Sequence, residues 1–220
     1  MERAEIFEKL AQHAVIPVLS VERPERALGL ADALVAGGLP VAEVALRTDA
    51  AAEAIRLLRR ARPNMILGAG TVLSAAQVEL ARDCGAQFLV SPGVNRDVVR
   101  RASELGVPMI PGVFTPSEIE LALSLGADVL KVFPAEVGGG VRLIQALAGP
   151  YRHTGVRFVP TGGITAANLE SYLKEDIVLA VGGTWIAKKD DIAEERWAEV
   201  TRRCEETRAI VARVRGGGPA

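Results

Sequence analysis

Lys131 is a charged residue inside a short apolar run, residues 129 to 133, whose length and composition predict a buried strand. Successive side chains of a strand point to opposite faces, so Lys131 shares a face with Val129 and Phe133. Leu130 and Val132 take the other face. Removal of an amine from water disfavours its charged form, and the neutral amine is the form that attacks a carbonyl carbon. Lys131 is therefore a candidate for Schiff-base chemistry.

Glu43 lies in a second apolar run, residues 41 to 47, and the same alternation places it with Arg47 on the face opposite Val44 and Leu46. A carboxylate beside the amine could move protons, directly or through a water molecule, as Schiff-base chemistry requires. The structural alternative is a Lys131–Glu43 pair that only neutralises itself in an apolar interior. Strand alternation alone does not separate the two interpretations.

Two glycine pairs follow later apolar runs, in Thr161-Gly162-Gly163 and in Gly182-Gly183-Thr184. Glycine lets backbone N–H groups approach an anion closely, and the loops after the last two strands of a (β/α)₈ barrel often hold a phosphate. Thr184 adds a hydroxyl. Tight turns between strand and helix are the alternative, but two such pairs in succession favour phosphate binding.

Further polar candidates follow the third and fourth apolar runs. Thr71 ends a Gly-Ala-Gly-Thr turn and could donate a hydrogen bond to a substrate carboxylate that Arg47 binds by charge. Pro92 lies in a Ser-Pro-Gly turn, and we assign Phe133 to the wall of the cavity. Turn chemistry alone explains the glycines and Pro92 equally well.

The elements that must position these residues alternate regularly along the chain. Short runs rich in Val, Ile and Leu are separated by stretches with helical spacing of apolar residues, and several of these stretches end in glycine. The predicted strands are Val15–Leu19, Val41–Leu46, Met65–Gly68, Phe88–Val90, Pro108–Val113, Val129–Phe133, Val156–Pro160 and Val178–Val181. Eight such units predict an α/β fold, a (β/α)₈ TIM barrel. A doubly wound open sheet is the alternative, but it usually has a Gly-rich first turn, whereas here the glycines follow strands seven and eight.

The two ends of the chain do not fit the repeating unit. Residues 3 to 12 predict an extra N-terminal helix that closes the bottom of the barrel, and residues 197 to 214 predict a C-terminal helix. We therefore expect one domain over residues 1–215, and a flexible tail at 216–220.

Composition excludes several classes of function. With 26 basic and 27 acidic residues in 220, the chain offers no electrostatic footprint for nucleic acid or an anionic membrane. Its two histidines and two cysteines lack metal-ligand spacing, so we expect no metal and no cofactor. The charged N-terminus argues against a signal peptide, and a cytoplasmic location is expected.

Together these residues resemble 2-keto-3-deoxy-6-phosphogluconate (KDPG) and 4-hydroxy-2-oxoglutarate (KHG) aldolases. The resemblance covers residues 16 to 186 and is carried by the segments 43–48, 68–72, 91–93, 111–112, 131–135, 160–164 and 182–185. It implies a TIM barrel, usually a homotrimer, that acts in the Entner–Doudoroff pathway without a cofactor. Two departures are visible: Thr184 stands where relatives often have Ser, and Leu19-Ser20 stands where some carry a basic residue.

The resemblance also implies residue roles. Lys131 matches the Schiff-base lysine and Glu43 the proton-transferring acid. The substrate-binding residues are Arg47 and Thr71 for the pyruvate carboxylate, Thr161 for stereochemical preference, and Gly162, Gly163, Gly183 and Thr184 for phosphate. An aldolase for the C4 epimer, 2-keto-3-deoxy-6-phosphogalactonate, another phosphate-binding barrel without a Schiff-base lysine, and a non-catalytic sugar-phosphate-binding barrel are the alternatives.

Overall fold

A computed structural model describes residues 2–216 and consists of short parallel strands alternating with helices. The strands are β1 (Val15–Leu19), β2 (Val41–Ala45), β3 (Ile66–Gly70), β4 (Phe88–Val90), β5 (Met109–Ile110), β6 (Gly112–Val113), β7 (Val129–Val132), β8 (Arg157–Pro160) and β9 (Val181–Gly183). The α-helices are α1 (Arg3–His13), α2 (Arg26–Ala36), α3 (Ala51–Ala61), α4 (Ala75–Asp83), α5 (Arg96–Glu104), α6 (Pro116–Ser124), α7 (Val141–Tyr151), α8 (Ala166–Leu173), α9 (Lys189–Ala193) and α10 (Trp197–Arg215). A 3₁₀ turn, Arg152–Thr154, follows α7.

The strands close into a ring in chain order. One parallel sheet runs β5-β4-β3-β2-β1-β9 and a second runs β6-β7-β8. The two sheets join at two places. At the first, Pro111 links β5 to β6, and its carbonyl accepts a hydrogen bond from the Lys131 N–H of β7 at 2.9 Å. At the second, Thr161, which follows β8, forms an isolated bridge with Gly182 of β9. The predicted (β/α)₈ barrel is therefore confirmed, with the extra helices at both ends.

Two predicted strands differ from the structure by more than a shift of one or two residues at their ends. The fifth strand, predicted as one element over 108–113, is broken at Pro111 into β5 and β6, because proline has no N–H to donate to the ladder. The eighth was predicted at 178–181, but regular pairing begins only at Val181. Val178 forms only an isolated bridge with Phe158, and the carbonyls of Val178 and Leu179 accept hydrogen bonds from the Arg215 side chain.

Several helices begin at a polar residue that caps their first backbone N–H groups. Ser74 accepts a hydrogen bond from the Gln77 N–H at the start of α4, and Asn95 accepts one from the Asp97 N–H at the start of α5. Thr115 and Glu118 form a reciprocal capping box at α6, with Pro116 as its first residue. The short helix α9 was not predicted, since five residues carry no periodic signal.

Buried apolar residues form two layers that follow strand alternation. The layer inside the barrel contains Ile16, Val41, Ile66, Phe88, Val90, Ile110, Val129 and Val159, and α1 adds Ile6, Phe7 and Leu10 to it. The outer layer lies between strands and helices and includes Val44, Leu130 and Val132. The predicted inward and outward faces are confirmed, and α1 closes the N-terminal end of the barrel. No helix among residues 2–216 is long and apolar enough to cross a membrane.

The C-terminal helix α10 packs against α2 and α8. Its buried face consists of Val200, Cys204, Thr207 and Val211, which recur at helical spacing. Glycine makes the α2 contact close: a Cβ at Gly37 would lie 2.3 Å from the Cβ of Cys204. The single predicted domain over 1–215 and the tail at 216–220 stay predictions, and residues 217–220 lie outside the described part of the chain.

Candidate active site

A cavity of about 270 Å³ opens at the carboxyl ends of the strands. All eleven candidate residues predicted from the sequence line it. They lie in β2, β7 and β9 and in the loops that follow β2, β3, β4, β7, β8 and β9. They are Glu43, Arg47, Thr71, Pro92, Lys131, Phe133, Thr161, Gly162, Gly163, Gly183 and Thr184. Val18 and Ile164 complete the wall and were not singled out, because apolar side chains give no signal of a site.

Lys131 and Glu43 face each other across the barrel from β7 and β2. Their exposed fractions are 7% and 3%, and the Lys131 Nζ lies 3.8 Å from the Glu43 Oε1. The amine also lies 5.2 Å from the centre of the Phe133 ring. An amine and a carboxylate are thus held close together, with little water, at the base of an open cavity.

Gly70, at the end of β3, leaves the space that the Glu43 side chain occupies. A Cβ at Gly70 would lie 2.1 Å from the Glu43 Oε1. Gly68 plays the same part deeper in the barrel, where a Cβ would lie 2.3 Å from the Phe88 ring. The two glycines of this strand therefore make room for side chains that cross the barrel interior.

Thr71 follows Gly70 directly and has a left-handed backbone, with φ of 58°. A β-branched residue rarely adopts this conformation, because its side chain crowds the backbone there. Such strain persists where the surrounding structure holds it, and it is concentrated at functional sites. In this fold it turns Thr71 into the cavity that Arg47 also lines.

The turn after β8 is held in place by the segment after β7. The Ala135 N–H donates to the Thr161 carbonyl at 2.8 Å, and the Glu136 N–H donates to the Gly162 carbonyl at 3.0 Å. The hydroxyl of Tyr172 donates to the Glu136 carboxylate. Both burial and this hydrogen bond raise the pKa of Tyr172, so its hydroxyl keeps its proton and stays a donor at neutral pH.

The glycines of both turns are required by close approach or by backbone conformation. Gly162 and Gly163 have φ of 102° and 80°. A Cβ at Gly182 would lie 2.4 Å from the Thr161 hydroxyl oxygen, and one at Gly183 would lie 1.9 Å from the Trp185 ring. Gly162, Gly163 and Gly183 of these two turns line the cavity, and backbone N–H groups of glycine turns are suitable donors to a phosphate.

A second cavity of about 300 Å³ adjoins the first and shares Arg47, Thr184 and Val18 with it. Ser20, Ala187, Lys188 and Lys189 complete its lining. The Lys189 amine pairs with the Glu22 carboxylate at 2.8 Å. The sequence analysis did not identify Lys188 and Lys189 as candidates, although two adjacent positive charges four residues after Thr184 indicate an anion site. Ser20 belongs to the first loop, directly after β1.

Metal and thiol chemistry find no support in the described residues. Within 2–216, no group of three or more His, Cys, Asp or Glu residues could hold a metal ion. Cys204 is fully buried, and burial raises the pKa of its thiol to about 12, which leaves it protonated and unreactive at neutral pH.

A (β/α)₈ barrel whose mouth holds a buried lysine beside a buried carboxylate is the architecture of a class I aldolase, an enzyme that works through a Schiff base. Comparison with known proteins agrees. The family model described as "KDPG and KHG aldolase" matches residues 6–203, so the chain belongs to the KDPG and KHG aldolase family.

Individual relatives cover nearly the whole chain. The chain is 48% identical over 206 residues to the 2-dehydro-3-deoxy-phosphogluconate aldolase of Treponema pallidum, covering 94% of this chain and 97% of that protein. It is 44% identical over 207 residues to the enzyme of the same name from Haemophilus influenzae, with the same coverage. A crystal structure of KDPG aldolase from Legionella pneumophila, with pyruvate captured as a covalent carbinolamine, superposes with a TM-score of 0.88 at 38% identity. That alignment covers 94% of this chain and 98% of the other.

Proposed function

We propose that this protein is a class I aldolase that cleaves KDPG to pyruvate and glyceraldehyde 3-phosphate. The observation that carries the proposal is one cavity with a buried amine and carboxylate, Lys131 and Glu43, at its base and two glycine turns at one end. A 2-keto acid at the base and a phosphate at the turns would place the scissile bond between these two groups.

The reaction begins with Lys131. Its neutral amine attacks the C2 ketone, and loss of water gives an iminium ion that accepts electrons. Glu43, directly or through a water molecule, removes the proton of the C4 hydroxyl, and the C3–C4 bond breaks. The electron pair of the broken bond moves into the iminium and gives an enamine, and glyceraldehyde 3-phosphate leaves. Protonation of the enamine at C3 and hydrolysis of the new iminium release pyruvate and restore the Lys131 amine.

The other lining residues bind and orient the substrate in this proposal. Arg47 pairs with the carboxylate of the keto acid and the Thr71 hydroxyl donates to it, since both lie along the cavity that holds Lys131. Thr161 contacts the C4 region, and Pro92 and Phe133 form apolar walls. Gly162, Gly163 and Gly183 offer backbone N–H groups to the phosphate, and Thr184 offers its hydroxyl.

Cleavage of KHG to pyruvate and glyoxylate is a second activity of the same site. It uses the same steps at Lys131, because only the part beyond C4 differs and the smaller substrate leaves the phosphate end empty. The C4 epimer KDPGal is the alternative phosphorylated substrate, and kcat/KM on the three compounds ranks them. A non-catalytic sugar-phosphate-binding barrel has no need for a buried amine beside a carboxylate.

Borohydride trapping tests the proposal. Pyruvate with borohydride is expected to leave a stable adduct on the peptide that contains Lys131, detected by mass spectrometry, and the variant Lys131→Met is expected to form none. Lys188→Met is the matched control, because it removes an amine from the adjoining cavity and should leave trapping unchanged.

Glu43→Gln separates the two roles. We expect its turnover of KDPG to fall by roughly 10²- to 10⁴-fold, the range for loss of a general acid–base group, while the Lys131 adduct still forms. An adduct that persists in Lys131→Met, or no adduct in the unaltered protein, would overturn the proposal.

We further propose that the protein acts in the cytoplasm as a homotrimer, each subunit one domain over residues 1–215. Large apolar side chains exposed on one chain support an assembly: Leu73, Leu80, Phe114 and Val137 are 54%, 39%, 38% and 90% exposed. Sedimentation equilibrium is expected to give about three times the chain mass of 23.3 kDa. A single-chain mass would contradict the trimer and leave the aldolase proposal intact.

A further inference from the structure

Asp191 is a buried carboxylate outside the candidate active site. It is 2% exposed and lies in α9, seven residues after Thr184. It does not line either cavity at the barrel mouth. Burial of a charge is unfavourable unless neighbouring groups compensate it, so the hydrogen-bond partners of Asp191 indicate its role.

Three donors converge on the Asp191 carboxylate. The Arg203 guanidinium donates to its Oδ2, the Arg196 Nε donates to its Oδ1 at 2.9 Å, and the Lys188 backbone N–H donates to its Oδ2 at 3.2 Å. Burial raises the pKa of Asp191, but the hydrogen bonds from Arg203 and Arg196 outweigh burial and keep the pKa below its ordinary value. The carboxylate is therefore charged at neutral pH.

Arg203 extends this link to the turn after β9. The same guanidinium that binds Asp191 also donates to the Ile186 carbonyl, at 3.4 Å. Arg203 lies in α10 and its side chain is 16% exposed. The segment from Ile186 to Asp191 is therefore attached to α10 near both of its ends, and it begins two residues after Thr184.

Thr184 and Trp185 link the end of β9 to this segment. Gly183 packs against the Trp185 ring, and the Trp185 indole N–H has no hydrogen-bond partner among the described residues. Thr184 is exposed to the cavity. The hydrogen bonds of Arg203 and Asp191 lie next in the chain, at Ile186 and Lys188, and set the path of the backbone that follows Thr184.

We propose that Asp191 and Arg203 are positioning residues for the phosphate end of the site. They fix the backbone after β9, so that the Thr184 hydroxyl and the Lys188 amine face the anion. This inference rests on the proposed function for the identity of the ligand. Neither residue touches the substrate, so the pair acts on binding of the phosphate and leaves the chemistry at Lys131 unchanged.

The test compares substrates with and without a phosphate. In Asp191→Asn, which keeps the shape of the side chain and removes its charge, we expect KM for KDPG to rise roughly 10-fold, as misplacement of a binding group does. We expect kcat/KM for KHG and the rate of borohydride trapping with pyruvate to stay within twofold of the unaltered protein. Inorganic phosphate, as a competitor of KDPG and in calorimetry, should bind correspondingly more weakly.

The matched control is Asp176→Asn. Asp176 also pairs with an arginine, Arg152, but at the surface, where its side chain is 77% exposed. This variant is expected to behave like the unaltered protein on all substrates. If Asp191→Asn does not fold, the same measurements are made on Arg203→Lys. This variant keeps the positive charge and replaces the guanidinium that contacts both Asp191 and the Ile186 carbonyl.

A purely structural role predicts a different result. It would lower the melting temperature and reduce activity on KDPG and KHG by the same factor, which would overturn the inference, as would an unchanged affinity for phosphate. Failure of the aldolase proposal is distinguishable, because it removes pyruvate trapping from the unaltered protein, whereas phosphate calorimetry still reports whether Asp191 orders the turn.

Discussion

Strand alternation turns Lys131 and Glu43 away from the helix layer and into the mouth of the barrel. Lys131 and Glu43 each lie in a strand whose neighbours alternate between the barrel interior and the helix layer, so their faces could be predicted from period two alone. Their 3.8 Å separation could not, because it depends on the tilt and register of strands 88 residues apart in the chain.

Other residue-scale features left little or no trace in the sequence. Asp191 and Arg203 are twelve residues apart, on two helices joined by a turn, and nothing in either helix indicates that they meet. The left-handed backbone of Thr71 was likewise unpredicted, since a β-branched residue is an unusual choice for it. Both features come from contacts that only the folded barrel brings together.

Thr71 provides a test of strain held for function. Thr71→Gly is expected to leave the free energy of unfolding unchanged or to raise it by up to about 1 kcal/mol, because relief of strain offsets the greater freedom of glycine in the unfolded chain. The pyruvate concentration for half-maximal borohydride trapping should rise, because the hydroxyl is lost. Denaturant unfolding and trapping measure the two effects.

Thr71→Ser is the control, since it keeps the hydroxyl and should retain affinity for pyruvate. A marked fall in unfolding free energy in Thr71→Gly, with trapping unchanged, would mean that Thr71 serves the fold and not the ligand.

Single elements followed their local signals closely. The N-caps at Ser74, Asn95 and Thr115 placed the starts of three helices, because capping hydrogen bonds are local. The break at Pro111 and the late start of β9 were missed, because an apolar run shows where a strand can form and not where its ladder pairs. The break comes from the missing N–H of Pro111, whereas the carbonyls just before β9 have a distant partner, the Arg215 side chain.

Gly37 tests the packing of α2 against α10. Gly37→Ala should lower the free energy of unfolding by about 1–3 kcal/mol, the usual cost of overpacking, because the new Cβ would lie 2.3 Å from the Cys204 Cβ and 2.8 Å from the Thr201 carbonyl oxygen. The φ of −79° at Gly37 suits alanine, so the substitution introduces no backbone strain. Urea denaturation is the measurement.

Glu205→Ala, on the exposed face of α10, serves as the comparison and should change the same free energy by less than about 0.5 kcal/mol. Equal effects of the two substitutions would show that α10 can shift away from α2 at no cost.

The molecule as a whole divides into a sealed end and an open end. Ile6, Phe7 and Leu10 of α1 fill the barrel at the amino ends of the strands, while every candidate residue lines the opposite end. This division follows from the fold, since (β/α)₈ barrels place stability at the bottom face and chemistry at the top. The sequence predicted both parts, because the helix and the glycine turns are each read locally.

Leu10→Ala tests the division. Leu10 is fully buried, so its truncation should cost about 2–5 kcal/mol of unfolding free energy. Below the melting temperature of the variant, kcat and KM for KDPG should match those of the unaltered protein. Thermal unfolding and steady-state kinetics on the same sample give both quantities, and a change in KM comparable to that of Asp191→Asn would contradict the separation of the two ends.

The junction of β8 and β9 has a consequence for motion. The two strands and the residues beside them pair only through isolated bridges, Phe158 with Val178 and Thr161 with Gly182, and both glycine turns begin at this junction. A closed barrel is expected to open locally where the fewest hydrogen bonds join neighbouring strands. Fluctuations of the barrel should therefore widen and narrow the phosphate end, while Lys131 and Glu43, on the continuous ladders of β7 and β2, keep their spacing. Release of the phosphorylated product and the bond-breaking step would then depend on different parts of one ring.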